Sequence, residues 1–524
     1  MSNNKKNMFK IISFIFFIVS YYIISAHVSH HSTWNHKPGA FALRTVLLPV
    51  FLMSCGKIVA LLTVPLLITS TLIYYILCHK YGSISESMLQ AIAGTNPHEA
   101  QSTLGSIGIP AIAIFVMLFI AQCYLSWKFA RFRLYMLLFT GLTLVYPYGR
   151  AIVKFCQLQT AHHLITESTN FFRAYAPGTV GDTVYLVSLI MNDENIAATP
   201  HQNADSMVTN KVPGRVKNII VVVGESDLAD RHTIYGYKKQ NTTPNIQNLV
   251  DHDRICVVKD AHSSADMTRY AVPMIFSFYD ADHQDKLYSE KNLIELAKDN
   301  NYKTFWIASQ DGRGQYSRPF GYLSEFSNYV TRQDYNNKEN HVDWHDESLL
   351  PVIKEKFADQ SEYKFFVIHI IGSHVNYSDD VTQEDIDALP KADAYDQSVH
   401  RTDRILNQII NMADTELKDY TLLYTSDHAE IVGVGHAIQY GGYTQYRIPV
   451  FLLDESKKYC QMVENIRNND GYYTEVMDKF LLLDMLGYDV NPAAIEETKV
   501  QDRILHSDGK TYDYKNIPTE KDRK

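Results

Sequence analysis

Two hydrophobic patterns divide the chain. The N-terminal part carries five apolar runs, at 11–26, 41–55, 58–77, 107–127 and 134–149. The third, "IVALLTVPLLITSTLIYYIL", is long enough to cross a bilayer alone, and the fourth is similar. From Val216 onward the pattern changes. Apolar stretches of strand length appear at 218–224, 255–261, 303–309, 364–371, 420–426 and 447–453. Between them lie segments of helical periodicity, "NLIELAKDN", "YDQSVHRTDRILNQIINMA" and "YYTEVMDKFLLLDML". Unbroken apolar runs such as "NIIVVVG" predict strands buried on both faces of a mainly parallel sheet, with helices on each side.

Basic residues orient the front end. Lys5, Lys6 and Lys10 precede the first run, Lys57 separates the second from the third, and "WKFARFR" (127–133) separates the fourth from the fifth. Five crossings put all three segments on the cytoplasmic side and the C-terminal part on the other, which in a bacterium is the periplasm. The competing reading of the first run is a cleaved signal peptide. The resulting division is 1–152 transmembrane, 153–215 a bridging amphipathic helix and polar linker, and 216–524 a soluble α/β domain.

Composition narrows the function. With 46% hydrophobic and 20% charged residues, the 524-residue chain is globular rather than disordered. A net charge of -9 and the lack of a basic stripe argue against a nucleic-acid partner. Of the six cysteines, Cys55, Cys78 and Cys123 fall in or beside apolar runs. Cys156, Cys256 and Cys460 remain, enough for at most one disulfide, whose existence the sequence does not decide.

Sites in open α/β sheets form beyond the carboxyl ends of strands. Glu225 and Ser226 follow the 218–224 run, His374 follows 364–371, and Asp427 and His428 follow 420–426. Two carboxylates and an imidazole suit zinc better than calcium or magnesium. The competing reading makes Asp427 a helix cap with His428 packed nearby. In "DAHSSADMTRYAVPMIFS" (260–277) a helical pattern begins at about Met267, so Thr268 sits where backbone N–H groups favour a phosphoryl anion. There too a plain cap is the alternative.

The ordered blocks "VVVGES", "TTPNI", "MTRYAVPMIFS", "IHIIGSH", "SDHAE" and "GH" resemble the bacterial inner-membrane phosphoethanolamine transferases of the alkaline phosphatase and sulfatase superfamily. The resemblance extends over the whole chain. It implies a five-helix transmembrane domain and a periplasmic α/β/α sandwich. It implies that Glu225, Thr268, Asp427 and His428 bind zinc and that Thr268 is the nucleophile. His374 and His436 match histidines that bind a second zinc or the substrate phosphate. "GTNPHEA" (94–100) matches the lipid-facing segment, making Thr95 and Glu99 contacts of the donor headgroup. The implied donor is phosphatidylethanolamine, and the implied acceptor is lipid A, a lipopolysaccharide core sugar or a periplasmic glycan. The implied cofactor is one tight zinc, with a second in some family members. The implied setting is a monomer among membrane lipids, multi-pass in the inner membrane.

Departures from the family pattern are Ala91 for an asparagine before Thr95, Ser264 and Met274 for a cysteine pair, and Ala429 for a glycine. The alternatives are a membrane-anchored sulfatase-like hydrolase or phosphodiesterase, a glycerol-phosphate transferase, and a scaffold without activity. "SRPFG" (317–321) keeps the Ser and Pro of the sulfatase C/S-x-P-x-R pattern but has Gly for Arg. Gln310 and Arg313 in "WIASQDGRG" resemble a substrate-side loop without earning a role. His369 reads as a core histidine, and His262 and Asp266 as turn formers.

Overall fold

The structure, a computed structural model, describes residues 3–31, 38–82, 84–94, 109–160, 179–191, 198–310, 312, 316–331, 345–379 and 381–523. The chain divides into two compact units, Met1–Glu194 and Asn195–Lys524. The division falls inside the segment expected to bridge the two domains.

The first unit is helical: α1 (Asn3–His31), α2 (Pro38–Ser54), α3 (Lys57–Tyr81), α4 (Glu86–Gly94), α5 (Ile109–Phe129), α6 (Leu134–Thr160) and α7 (Thr179–Met191). A helix covers each of the five apolar runs. Among the described residues, two stretches are long and apolar enough to cross a membrane, Lys57–Tyr81 and Leu134–Val153. The apolar parts of the others, Phe14–His30, Ala42–Ser54 and Ala113–Phe129, are shorter. The two longer stretches alone do not fix the number of crossings. The outer faces of α3 and α6 expose Ile58, Leu62 and Leu66, and Leu138, Leu142 and Val145. Such continuous apolar surface is unfavourable in water and suits lipid. The fifth run extends further than its apolar residues suggest, because "AIVKFCQLQT" continues the helix with Pro147 accommodated inside it. Thr95 and Glu99 lie outside the described residues.

The second unit is built on a seven-stranded sheet. Its strands are β1 (Asn218–Gly224), β2 (Ile255–Val258), β3 (Lys303–Ala308), β4 (Tyr329–Val330), β5 (Lys364–His369), β6 (Thr421–Ser426) and β7 (Val450–Leu453). Their order is β2-β7-β6-β1-β5-β3-β4. Strands β6, β1, β5, β3 and β4 pair in parallel, and β7 alone is reversed, antiparallel to both β6 and β2. The sheet is thus mixed. The six apolar runs each supply a strand, while the two-residue edge strand β4 carries too little pattern to be read.

Alternation along β1 shows why it is apolar throughout. Ile219, Val221 and Val223 pack into one buried cluster, and Ile220 and Val222 into another on the opposite face. The first cluster is completed by α8 (Thr268–Phe276) and α10 (Asp478–Leu486), the second by α9 (Ala394–Glu416). Helices thus cover both faces. The segment expected as one helix over 472–486 instead opens with a short strand, Tyr473–Thr474, and becomes α-helical at Asp478. The Tyr473 hydroxyl donates to Asp478 Oδ1 at 2.6 Å across that junction. Cys256 on β2 is bonded to Cys460, a disulfide across 204 residues that ties the sheet edge to the helix Lys458–Ile466.

Candidate functional site

The site is assembled from the ends of β1 and β6 and the start of α8. These central strands run in register, with Gly224 opposite Ser426, so the residues that follow them emerge together. Glu225 leaves β1, and Ser226 turns the chain with a left-handed φ of 56°. Asp427 and His428 leave β6. The Asp427 N–H donates to Gly224 O, and Asp427 Oδ1 accepts from the N–H groups of Ser226 at 3.1 Å and His428 at 2.7 Å. No helix follows Asp427, so the cap reading fails. The carboxylate stitches two strand ends instead.

Thr268 is the first residue of α8. The N-cap is Met267, in extended conformation and without a side-chain cap. The Thr268 hydroxyl is therefore not spent on capping. It donates to Glu225 Oε2 at 3.1 Å and lies 3.3 Å from His428 Nε2. That nitrogen is also 3.3 Å from Glu225 Oε1 and 3.3 Å from Asp427 Oδ2. One ring nitrogen thus faces three oxygens at near-equal range, more than a single N–H could serve. Asp427 Oδ2 is buried without a hydrogen-bond partner. Ligand atoms of Glu225, Asp427 and His428 all lie within 4.8 Å of one another. Nδ1 of His428 lies 3.1 Å from the Ala429 carbonyl, a contact that makes it the protonated nitrogen and leaves Nε2 with a free lone pair. Two carboxylates, one such imidazole and an orphaned buried oxygen fit a divalent cation.

Electrostatics agree. Burial alone would raise the Glu225 carboxyl, but the imidazoles of His428, His374 and His436 hold it well below the usual range. Burial, with Glu225 alongside, pushes Asp427 well above its ordinary value. Burial would lower His428, yet Glu225 raises it. Protonated imidazole offsets Glu225 here, and a bound cation would take over that role with His428 neutral.

The supporting loop comes from β5. Gly372 has a left-handed φ of 52°, and a Cβ there would sit 2.9 Å from Glu225 O and 3.0 Å from Glu225 N. The Ser373 N–H donates to Glu225 O at 3.0 Å. The same loop is held from behind by Asp346, whose carboxylate accepts from the N–H groups of Ile371 at 2.8 Å and Gly372 at 3.1 Å, and from the Ser309 hydroxyl at 2.6 Å.

His374 and His436 are half-buried beside this group rather than part of it. The His428 and His436 rings are 4.1 Å apart, and those of His374 and His436 are 6.4 Å apart. His436 Nδ1 contacts Glu430 Oε2 at 2.9 Å.

Gln310 belongs to the site although the sequence left it without a role. Its Nε2 donates to Glu225 Oε2 at 2.9 Å and to Ile370 O at 3.2 Å. It follows the end of β3, so the rule of looking past strand ends would have found it. Arg313 lies outside the described residues. His369 is buried, edge-on to Phe320, and burial pushes it down to about 4. His262 stacks on Tyr514 with 3.7 Å between centroids and pairs with Asp502, while Asp266 lies 3.4 Å from His506.

Comparison with known proteins follows the same lines. A putative phosphoethanolamine transferase of Haemophilus influenzae is 23% identical over 263 residues, 48% of this chain and 52% of the relative. The matched part thus spans about half the length of that protein. The phosphoethanolamine transferase EptC of Escherichia coli is 24% identical over 424 residues, 74% of this chain and 71% of the relative. Among solved structures, the integral membrane lipooligosaccharide phosphoethanolamine transferase A of Neisseria meningitidis shares the fold, with a TM-score of 0.61 at 17% identity over 89% of this chain and 95% of the other. The sulfatase family matches residues 217–480. That match runs over half of the chain and contains Glu225, Thr268, Asp427 and His428, and the chain belongs to the sulfatase family.

Proposed function

We propose that this protein transfers phosphoethanolamine from phosphatidylethanolamine to an envelope acceptor, a lipid A, lipopolysaccharide core or periplasmic glycan group, through Thr268. The observation that carries the reading is the Thr268 hydroxyl, free of any capping duty and set 3.1 Å from Glu225 Oε2 and 3.3 Å from His428 Nε2. The curated relatives named phosphoethanolamine transferases support the choice of group.

Glu225, Asp427, His428 and Thr268 would hold the metal, and the mixed oxygen and nitrogen set favours zinc. When bound, the ion supplies Lewis-acid polarisation and lowers the pKa of a coordinated hydroxyl. The chain's own residues do the rest. Glu225 Oε2 accepts the hydroxyl hydrogen of Thr268 and orients Oγ1. Gln310 fixes that carboxylate. Oγ1 attacks phosphorus, the bond to the diacylglycerol oxygen breaks, and that oxygen takes up the proton. An acceptor oxygen then displaces Oγ1 from the phosphoethanolamine-threonine, and its proton passes to Oγ1, restoring the Thr268 hydroxyl. Phosphoryl transfer relies mainly on positioning and charge neutralisation, which this rigid site can provide. His374 and His436, at the rim, receive the substrate phosphate or a second zinc.

In this reading the N-terminal unit anchors the protein in the inner membrane with five crossings, its basic segments cytoplasmic and residues 216–524 periplasmic. Thr95 and Glu99 face the donor headgroup, and the protein acts as a monomer.

The test is a covalent adduct. Full-length protein exposed to phosphatidylethanolamine without acceptor should carry phosphoethanolamine on the peptide containing Thr268. Thr268→Ala should lose both adduct and transfer while keeping its fold. Full turnover by Thr268→Ala would mean that water is the nucleophile and the protein a hydrolase.

A further inference from the structure

We propose that Arg269 is a catalytic residue that binds the non-bridging oxygens of the phosphoryl group in transit at Thr268; this rests on the transfer reading above. Arg269 follows Thr268 in the first turn of α8, their Cα atoms about 3.8 Å apart. Its guanidinium carbon lies 5.4 Å from the centroid of the Tyr270 ring and 5.7 Å from that of Tyr316. The Tyr316 hydroxyl in turn interacts with the Thr268 side chain. The guanidinium thus lies over two tyrosine rings, the second belonging to the tyrosine that meets Thr268.

Two of its donors are left without a partner, beside a residue that contacts Thr268. Nε and Nη1 of Arg269 are buried and have no hydrogen-bond partner among the described residues. A guanidinium stays charged in proteins, and burying its donors unpaired is costly. Arg318 Nη2 is likewise buried without a partner among the described residues, whereas three other arginines of this unit are paired. Arg231 meets Asp393 and Asp396, Arg401 meets Glu347, and Arg404 meets Glu347 and Asp385. An unpaired planar fork of donors suits a tetrahedral oxyanion.

The placement also balances the site. Glu225 and Asp427 gather negative charge on one side of Thr268, where a cation fits. Arg269 supplies positive charge from α8. As the Oγ1–phosphorus bond forms and the bond to the diacylglycerol oxygen breaks, the proton passes from Oγ1 to that oxygen. Arg269 exchanges no proton and donates N–H groups to the phosphoryl oxygens, whose charge it offsets.

The experiment uses the full-length, zinc-loaded protein in lipid nanodiscs, with Arg269→Met and Arg269→Lys. Inorganic phosphate titrated into wild type should bind at least about tenfold more tightly than into Arg269→Met, with Arg269→Lys between. Adduct formation on the Thr268 peptide should slow about 100-fold in Arg269→Met, as for loss of one oxyanion donor, with zinc content and melting temperature unchanged. The KM for phosphatidylethanolamine should move less than kcat. Should Arg269→Met melt early, Arg269→Lys carries the comparison. Wild-type phosphate affinity and adduct rate in the variants would overturn the assignment and leave the transfer reading standing. Arg269-dependent phosphate binding in a wild type that forms no adduct would overturn the transfer reading and support the anion site.

Discussion

Gly372→Ala tests how the candidate metal site is held. Two penalties act at this position. The backbone is left-handed, and a side chain there costs about 1–2 kcal/mol. The new Cβ would also lie 2.9 Å from Glu225 O and 3.0 Å from Glu225 N. Ordinary contact begins at 3.4 Å, so the two backbones must part by about 0.5 Å. Neither can move easily, because Ser373 N–H holds Glu225 O and Asp346 holds the loop from behind. Overpacking a rigid site adds about 1–3 kcal/mol. A destabilisation of about 2–5 kcal/mol follows, with Glu225 displaced from its 3.1 Å contact with Thr268. Since about 1 Å of misplacement can cost 100-fold in rate, a loss near tenfold is expected. Gly471→Ala is the control. Its φ of +88° carries the same kind of backbone strain, and a Cβ there meets nothing within 4 Å. It should lower stability modestly and leave turnover untouched. The assays are zinc affinity by chelator competition, thermal melting and transfer rate. Wild-type zinc affinity and rate in Gly372→Ala would refute the claim that the 371–374 loop positions Glu225.

Gln310→Ala should weaken zinc binding about tenfold by freeing the Glu225 carboxylate, as removal of a ligand's hydrogen-bond partner usually does; unchanged affinity in the same competition assay would show that Gln310 does not orient it. Asp478 is fully buried, and burial raises its carboxyl to about 7. Because the folded value exceeds the ordinary 3.8, the native state holds the extra proton, and stability falls as pH rises between the two values, by at most about 1.4 kcal/mol per pH unit. Asp478→Asn should therefore melt higher than wild type at pH 8 and show no such gain at pH 4; a difference that does not change with pH would refute this. Cys256→Ser, which opens the cross-link to Cys460, should cost about 2–4 kcal/mol, read as a lower melting temperature under oxidising conditions and no further drop on adding reductant.

The sheet was legible where strands are buried on both faces, since Ile219 to Val223 must then all be apolar. Tyr329–Val330 was not, because two residues at an edge carry no period, and the reversal of β7 leaves no mark on composition. Asp427 and His428 stood out because charge at the end of an apolar strand is conspicuous. Asp346 did not, although its carboxylate fixes the loop at 371–374, because that contact spans 25 residues of chain. Arg269 lay in plain view within "MTRYAVP", but only packing reveals that its donors lack acceptors. In the N-terminal unit, apolarity located the helices, but a helix alone does not decide whether it crosses a membrane.

The position of β1 has a consequence for how the protein is made. It is the first strand of the sheet to be synthesised, yet it lies at the centre, between β5 and β6. Its partners begin at Lys364 and Thr421, so Ile219 pairs with residues 146 and 202 positions later. A nascent chain emerging N-terminus first therefore presents "NIIVVVG" with both edges bare until most of the domain has followed. Loop closure over such separations is slow, and bare apolar strands aggregate. If the domain is exported as proposed, its maturation should depend on holding factors along that route more than on its final stability, and a stall in synthesis before residue 421 should leave a species prone to misassembly.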